Sequence, residues 1–271
     1  MVVTGLYVYP LKSARALSLE RVSLDAFGFQ GDRRWSVVGA DGRVITQREC
    51  PALARLVVCP LPDAIELRTE GRESLRVERP AADRSTLPVD VWADRTEGAS
   101  AGPAADAWLS EFLGVACRLV YMPSHTHRQV SLEFGRQGDR VSFADGYPVL
   151  LTSAASLAEL NRRLDVPVPM NRFRPNLVID GTSAFAEDGW ARIRVGECEF
   201  RVVKPCGRCI VTTTDQQTGS RGKEPLRTLA TFRRVDGKIL FGQNLVHDGP
   251  GTIRLDDPVE VLERREEIAP G

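Results

Sequence analysis

Short runs of β-forming residues, each bounded by glycine, proline or aspartate, recur along almost the whole 271-residue chain. Residues 35–38 and 44–46 are two such runs, and the Asp-Gly pair between them predicts a β-hairpin. The other runs lie at residues 2–9, 17–24, 64–69, 74–79, 88–92, 176–180, 190–195, 198–203, 240–246, 252–255 and 258–262. Repeated short strands of this kind predict a mostly β fold.

Two segments have the spacing of amphipathic helices instead. Residues 103–113 begin with proline, precede Gly114 and repeat apolar residues every three or four positions. Residues 156–164 begin with Ser156 followed by Glu159, which is the pattern of a capping box. We therefore expect a mostly β protein of the α+β class with a few helices.

The stretch 93–103 is small, polar and turn-rich, so we place a domain boundary near residues 95–120. The expected domains are residues 1–115 and 116–271, a division that suits the length of the chain. The charged run at residues 263–267 predicts a solvated tail.

The chain has 36 Lys and Arg against 36 Asp and Glu, so its formal net charge is zero. A balanced charge gives no long-range attraction to nucleic acid or to an anionic membrane.

No run approaches the ~20 apolar residues of a transmembrane helix, and no secretory signal is visible. We expect a cytoplasmic protein with no nucleic-acid or membrane partner, whose six cysteines are mostly buried, reduced thiols.

The sharpest local feature is the sequence KPCGRC at residues 204–209, between β-forming flanks. Spacing alone leaves four interpretations open. The two cysteines can be buried structural thiols, or a redox pair, although thioredoxin-like pairs normally open a helix. They can form half of a zinc site that His125 and His127 complete. Alternatively, Cys209 binds a soft or redox metal as a thiolate, which the neighbouring cation of Arg208 would favour.

Two further groups contain residue types that bind anions. Residues 171–176 place Arg172 and Arg174 on either side of an aromatic residue, before a proline turn. Residues 9–13 and 31–35 supply lysine, serine and arginine after predicted strands. Arginine offers a bidentate fork to phosphate or carboxylate. Each group taken alone is also typical of a solvated loop.

Together these segments resemble the MOSC-domain family with an N-terminal MOSC β-barrel domain, which includes the mitochondrial amidoxime-reducing components and their bacterial relatives. The matching segments are YPLKS (9–13), DRRW (32–35), TQR (46–48), FRPN (173–176), AEDGW (186–190), CGRCIVTT (206–213), TG (218–219), KEPL (223–226), FGQN (241–244) and GTI (251–253). They run in the same order along nearly the whole chain, which makes the resemblance specific.

The resemblance implies a molybdenum cofactor of the simple molybdopterin type, with no attached nucleotide. It implies that Cys209 is the protein ligand of molybdenum and the catalytic centre. The residues that it implies around the cofactor are Lys12, Ser13, Arg33, Asp145, Tyr147, Arg174, Asn176, Gly207, Arg208, Cys209 and Asn244. It also implies an N-terminal β-rich domain packed on a C-terminal MOSC β-barrel, with the cofactor in the cleft between them.

The implied activity is reduction of N-hydroxylated compounds such as amidoximes, hydroxylamines and N-hydroxylated bases. No cysteine follows Cys209, so a [2Fe–2S] domain is not expected, and electrons would come from a separate ferredoxin-like or cytochrome b5-like donor with its reductase. Cys206 is then expected to be a buried neighbour of the metal ligand, and Asp215 is a candidate proton donor. Two alternatives stay open: a molybdenum-cofactor or sulfur carrier without turnover, and a zinc-binding module.

Overall fold

The computed structural model describes residues 1–265, and these residues form a mostly β structure of the α+β class, as predicted. The strands are β1 (Val2–Val8), β2 (Leu17–Leu19), β3 (Arg21–Asp25), β4 (Gly28–Phe29), β5 (Trp35–Val38), β6 (Val57–Pro60), β7 (Ala64–Arg68), β8 (Leu75–Glu78), β9 (Thr86–Val91), β10 (Asp94–Ser100), β11 (Arg118–Tyr121), β12 (Val149–Ser153), β13 (Leu177–Asp180), β14 (Trp190–Val195), β15 (Cys198–Gly207), β16 (Arg234–Val235), β17 (Lys238–His247), β18 (Gly251–Arg254) and β19 (Val259–Arg264). The α-helices are α1 (Pro103–Leu113), α2 (Ala154–Asn161) and α3 (Leu226–Phe232), and 3₁₀ turns cover Pro51–Arg55, Met170–Arg172, Ala186–Gly189 and Ile210–Thr213.

Helix α1 has the predicted bounds. Pro103 stands in the first turn, where its missing N–H leaves no helical hydrogen bond unmade. Gly114 adopts the left-handed conformation that ends the helix, with a φ of 68°. These two local signals are sufficient to define the helix from the sequence.

Helix α2 begins before the predicted position, and the predicted capping box is wrong. Ser153 is the N-cap, because its hydroxyl accepts a hydrogen bond from the Ser156 N–H at 3.1 Å. Ser156 lies inside the first turn, where its own hydroxyl donates to Glu187 Oε1 at 2.7 Å. Helix α3 was not predicted; it has seven residues and no capping side chain to mark its start.

Strands from both ends of the chain share the largest sheet. Its order is β19-β14-β15-β17-β12-β13-β1-β2, with β16 paired to β17. Strand β1 is antiparallel to β13, and β12 is parallel to β13. Val3, Leu6 and Val8 are buried in one core with Trp190 and Phe200. Burial of these apolar side chains ties the first strand of the protein to its C-terminal half.

Three smaller sheets complete the described structure, with orders β5-β11-β10-β9, β6-β7-β8 and β18-β3-β4. Strand β10 occupies most of the stretch that was predicted to be turn-rich, because its backbone pairs with β9 and β11 despite polar side chains. The predicted hairpin is incomplete: β5 forms, but Val44 makes only a bridge to Val38, and its N–H donates to Asp90 O. Strand β11 follows residue 115 and pairs with β5 before it, so the division at residue 115 stays a prediction.

The charged run near the C-terminus is partly a strand, because Glu263 and Arg264 are the last residues of β19. Residues 266 and 267 of that run lie outside the described residues. Within residues 1–265, no helix combines the length and the apolar character needed to span a membrane.

Candidate functional site

A cavity of about 420 Å³ lies where the loops after β1 and β4 meet the loop before β13 and the end of β15. Every residue that the resemblance implied around a cofactor lines this one cavity. These residues are Lys12, Ser13, Arg33, Asp145, Tyr147, Arg174, Asn176, Gly207, Arg208, Cys209 and Asn244. The fold therefore brings together side chains that are up to 232 positions apart in the sequence (244 minus 12).

The cavity wall is strongly cationic. Among residues 1–265, its basic side chains are Lys12, Arg33, Arg48, Arg174, Lys204, Arg208 and Lys238, and its one acidic residue is Asp145. The zero net charge of the chain thus conceals a local excess of positive charge, which suits an anionic ligand. Sequence reasoning missed Lys204 and Lys238 as site residues, and it had named Arg48 only as part of the TQR segment.

Two guanidinium groups of the cavity lie over the ring of Tyr9. The Cζ atoms of Arg33 and Arg174 are 4.3 and 4.2 Å from the ring centroid, within the range of cation–π contact. The Tyr9 hydroxyl donates to Pro175 O at 3.0 Å, which holds the ring in place. Burial raises the pKa of Tyr9 to about 12, although the two arginines act in the opposite direction. Tyr9 therefore stays neutral and positions both cations.

The side chain of Asn176 makes its hydrogen bonds to other residues of the protein. Its Oδ1 accepts from Arg33 Nη1 at 3.1 Å and from the Leu150 N–H at 3.2 Å, and its Nδ2 donates to Tyr7 O. Arg33 also pairs with Asp32, whose own carboxylate accepts the Tyr9 N–H at 2.8 Å. Asn176 and Asp32 consequently orient the guanidinium of Arg33.

Arg174 is 8% exposed, and burial lowers its pKa to about 10. Its Nη1 donates to Ala14 O at 2.8 Å and to Gln216 Oε1 at 3.1 Å. Among residues 1–265, its buried Nη2 has no hydrogen-bond partner, and neither does the buried Nε of Arg208. Buried donors are normally paired, so two free guanidinium donors at one cavity fit a bound anion.

Three residues of the cavity have left-handed backbone conformations, which non-glycine residues rarely adopt. Ser13 has a φ of 70°, Arg33 of 50° and Arg174 of 54°. Such strain persists only where the surrounding structure holds it, and it concentrates at functional sites. Here it aims one hydroxyl and two guanidinium groups at the same cavity.

Lys12 and Asp145 form an ion pair at the cavity, with Nζ and Oδ1 2.5 Å apart. Lys12 is 4% exposed, and burial lowers its pKa to about 8 although Asp145 acts to raise it. Desolvation acts to raise the pKa of Asp145, but the charge and hydrogen bond of Lys12 and the charge of Arg48 hold it well below its usual range. Asp145 is therefore a carboxylate at neutral pH.

The two cysteines of the KPCGRC segment both face the cavity. Cys206 is half-buried, not the buried thiol that was expected, and its Sγ accepts from Arg208 Nη1 at 2.9 Å. The expectation that the cation of Arg208 favours a thiolate at Cys209 stays a prediction. Cys209 is also half-buried and precedes the 3₁₀ turn Ile210–Thr213, whose Thr212 N–H donates to Cys209 O. An accessible thiol beside a cationic wall can bind a soft metal together with an anion.

The other candidate residues lie elsewhere. His125 and His127 are exposed and do not line the cavity, and His125 Nε2 lies 3.8 Å from Glu97 Oε1. No group of three or more His, Cys, Asp or Glu in residues 1–265 could hold a metal ion, which contradicts the alternative of a zinc site. Asp215 lines a different cavity and pairs with Arg172 at 3.1 Å, which removes it as a proton donor for this site.

Comparison with known proteins gives matches over most of the chain. Residues 1–116 match the family of the MOSC N-terminal beta barrel domain, and residues 138–260 match the MOSC domain family. The chain is 36% identical to mitochondrial amidoxime-reducing component 1 of Mus musculus over 279 residues, which covers 96% of this chain and 82% of that protein. It is 35% identical to the Homo sapiens protein of the same name over 281 residues, which again covers 96% of this chain and 82% of that protein.

A second type of relative is similar to this chain over only part of its own length. Molybdenum cofactor sulfurase of Danio rerio is 33% identical over 268 residues, which covers 90% of this chain but 32% of that protein.

Proposed function

We propose a function from one premise: this chain belongs to the MOSC-domain family, in the group with an N-terminal MOSC β-barrel domain. Its relatives connect it to molybdenum-cofactor chemistry. We infer that it is an oxidoreductase that uses a molybdenum–molybdopterin cofactor without an attached nucleotide to reduce N-hydroxylated compounds. The observation that carries this proposal is the single cationic cavity, which contains Cys209 and two free guanidinium donors.

The residues of the cavity fit such a cofactor. Arg174 and Arg208 offer unpaired donors to the terminal phosphate, and Lys12 and Arg33 add positive charge beside them. The thiolate of Cys209 is a ligand type that suits a soft, redox-active metal. The cavity is open at Gly207, where an added Cβ would meet only Lys238 Cδ, at 4.0 Å. The cofactor would supply two-electron redox chemistry for removing the oxygen of the N–OH group.

The protein's own side chains would bind the cofactor and orient it. Tyr9 and Asn176 fix the guanidinium groups before the ligand arrives, so little reorganisation is needed on binding. Lys12 Nζ donates a hydrogen bond to Asp145 Oδ1, and burial lowers its pKa to about 8. A phosphate dianion nearby would raise the pKa of Lys12 and keep it charged.

Electrons would come from a separate ferredoxin-like or cytochrome b5-like donor served by its own reductase. We further propose that the protein works in a reducing compartment such as the cytoplasm. No nucleic-acid or membrane partner is part of the proposal.

The test begins with protein produced in a host that synthesises the cofactor. Stoichiometric molybdenum and pterin are expected, as is reduction of benzamidoxime with dithionite-reduced methyl viologen. Cys209→Ser should lower this activity by at least about 100-fold while the protein stays folded, since even residues supporting a metal ligand are worth about 10- to 100-fold. The matched variant Cys206→Ser should keep most of the activity. An active Cys209→Ser together with an inactive Cys206→Ser would contradict the ligand assignment.

A cofactor or sulfur carrier without turnover is the second candidate, and the sulfurase relative favours it. Protein that holds molybdenum and pterin but reduces no N-hydroxylated compound with any donor would support the carrier. Reduction of many substrate molecules by each protein molecule would exclude the carrier function.

A further inference from the structure

Trp92 occupies a position for which its side chain is poorly suited. It is the first of two residues, Trp92 and Ala93, that join β9 to β10, where Val91 pairs with Asp94. Its φ is 57°, whereas Ala93 has no positive φ, which is the pattern of a type II′ turn that normally places glycine first. A bulky residue in this conformation is strained. The residue is also 47% exposed, so burial does not compensate for the strain.

The indole contacts side chains that line the cationic cavity. Its Nε1 donates to Asp145 Oδ1 at 3.2 Å, and the Cζ atom of Arg48 is 4.1 Å from the ring centroid. Lys12 Nζ is 5.8 Å from the same centroid. Asp145, Arg48 and Lys12 all line the cavity, so they connect Trp92 directly to its wall. Trp92 therefore has a positive φ, as Ser13, Arg33 and Arg174 do, and it contacts the wall of the cavity that those three residues line.

We propose that Trp92, with Arg48 against its ring, is a stacking platform that selects flat, aromatic N-hydroxylated substrates. An exposed indole offers a planar apolar face, and aromatic rings stack on such a face in offset or edge-on arrangements. The guanidinium of Arg48 holds the ring by a cation–π contact. An aliphatic substrate with the same N–OH group has no ring to stack.

This inference rests on the proposed function, and a matched pair of substrates tests it. Benzamidoxime and acetamidoxime carry the same reacting group, with and without an aromatic ring. Trp92→Gly removes the indole and suits the positive φ, so the turn should be kept, and Trp92→Phe retains a ring. For Trp92→Gly we expect KM for benzamidoxime to rise about tenfold, as for the loss of one stacking contact, with little change for acetamidoxime.

The control variant and the kinetic pattern separate stacking from other roles. For Trp92→Gly, kcat for benzamidoxime should stay within about twofold, because the lost binding is common to ground and transition states. Trp92→Phe should stay close to the wild type, as should Val115→Ala at an exposed apolar position elsewhere. If Trp92→Phe behaves like Trp92→Gly, the N–H bond to Asp145 is what matters and the platform is refuted. Equal losses for both substrates would also refute it.

A binding measurement tests the platform without turnover. Trp35 and Trp190 are buried and Trp108 is half-buried, so benzamidoxime should quench mainly the fluorescence of Trp92. The quenching should disappear in Trp92→Phe. A molybdenum-loaded protein that reduces neither compound would contradict the proposed function, while specific quenching would still support the platform. An active enzyme whose fluorescence benzamidoxime leaves unchanged would refute the platform alone.

Discussion

Replacing Lys12 by methionine should make the cofactor-free protein more stable, although it removes a side chain from the candidate binding cavity. Lys12 is 4% exposed, and burial lowers its pKa from 10.5 to about 8. The folded protein therefore carries an ammonium group that would be better solvated in the unfolded chain. Methionine has a similar unbranched shape without the charge, so it should fill the same space.

The size of the effect follows from that pKa. A lowering of about 2.5 (10.5 minus about 8) costs about 3 kcal/mol at pH 7, at about 1.4 kcal/mol for each pKa unit. This cost already includes the attraction of Asp145, which acts to raise the pKa of Lys12. The side chain of Asp145 is 61% exposed and keeps its contacts to Arg48 and Trp92, so it is not left as a buried, unpaired charge. We expect a gain of about 2–3 kcal/mol and a rise in Tm of roughly 5–10 °C.

Urea and thermal unfolding of cofactor-free wild type and Lys12→Met between pH 7 and 10.5 measure this difference. Because the pKa of Lys12 is lower in the folded state, the unfolded chain binds more protons between pH 8 and 10.5. The wild type should therefore gain stability relative to Lys12→Met across that range, and the gap should close above it. Lys223→Met, at an exposed lysine, should show no such gain. A Lys12→Met protein less stable than the wild type at pH 7, or a gap independent of pH, would refute the reasoning.

Two further predictions concern packing and capping. A Cβ at Gly251 would lie 2.4 Å from Cys198 Sγ, so Gly251→Ala should lower the free energy of unfolding by about 1–3 kcal/mol in urea titrations. Adding Cys198→Ala should recover part of that loss, while Gly189→Ala, in open space, should be neutral; an unchanged Gly251→Ala would contradict the packing. Ser153→Ala should lower the same free energy by about 1–2 kcal/mol through loss of the α2 N-cap, as measured by urea unfolding. Ser124→Ala, at an exposed serine, is its control, and equal stability of the two variants would count against the cap.

The elements that could be predicted from sequence carry their signals locally. Helix α1 has Pro103 at its start and Gly114 at its end, and both act through their own backbone. Strand β10 has no such signal, because its polar residues join a sheet only through backbone bonds to β9 and β11. The start of α2 was misplaced because Ser153 and Ser156 both suit an N-cap. The choice between them depends on Glu187, 31 positions away from Ser156.

The candidate site divides in the same way. Resemblance of short segments identified eleven residues, and the structure gathers all of them around one cavity. Trp92 escaped sequence reasoning because its strained turn and its contact with Arg48 exist only in the folded chain. The hydrogen bond from Arg208 to Cys206 was also not predicted, because sequence proximity does not show which way a side chain turns. Asp215 lies next to a matching segment, but it accepts hydrogen bonds from its own loop and faces another cavity.

The sequence by itself determined the β-rich composition of the fold, the family and the residue types that can hold an anion and a soft metal. These properties depend on local propensity and on short segments, and each segment can be recognised from its own sequence. The tertiary structure alone decided how charge is distributed, because a chain of zero net charge places seven lysine and arginine side chains of residues 1–265 around one cavity. It also decided which donors stay unpaired and which backbone positions bear strain. Both depend on contacts between residues far apart in the chain, and no local pattern records such contacts.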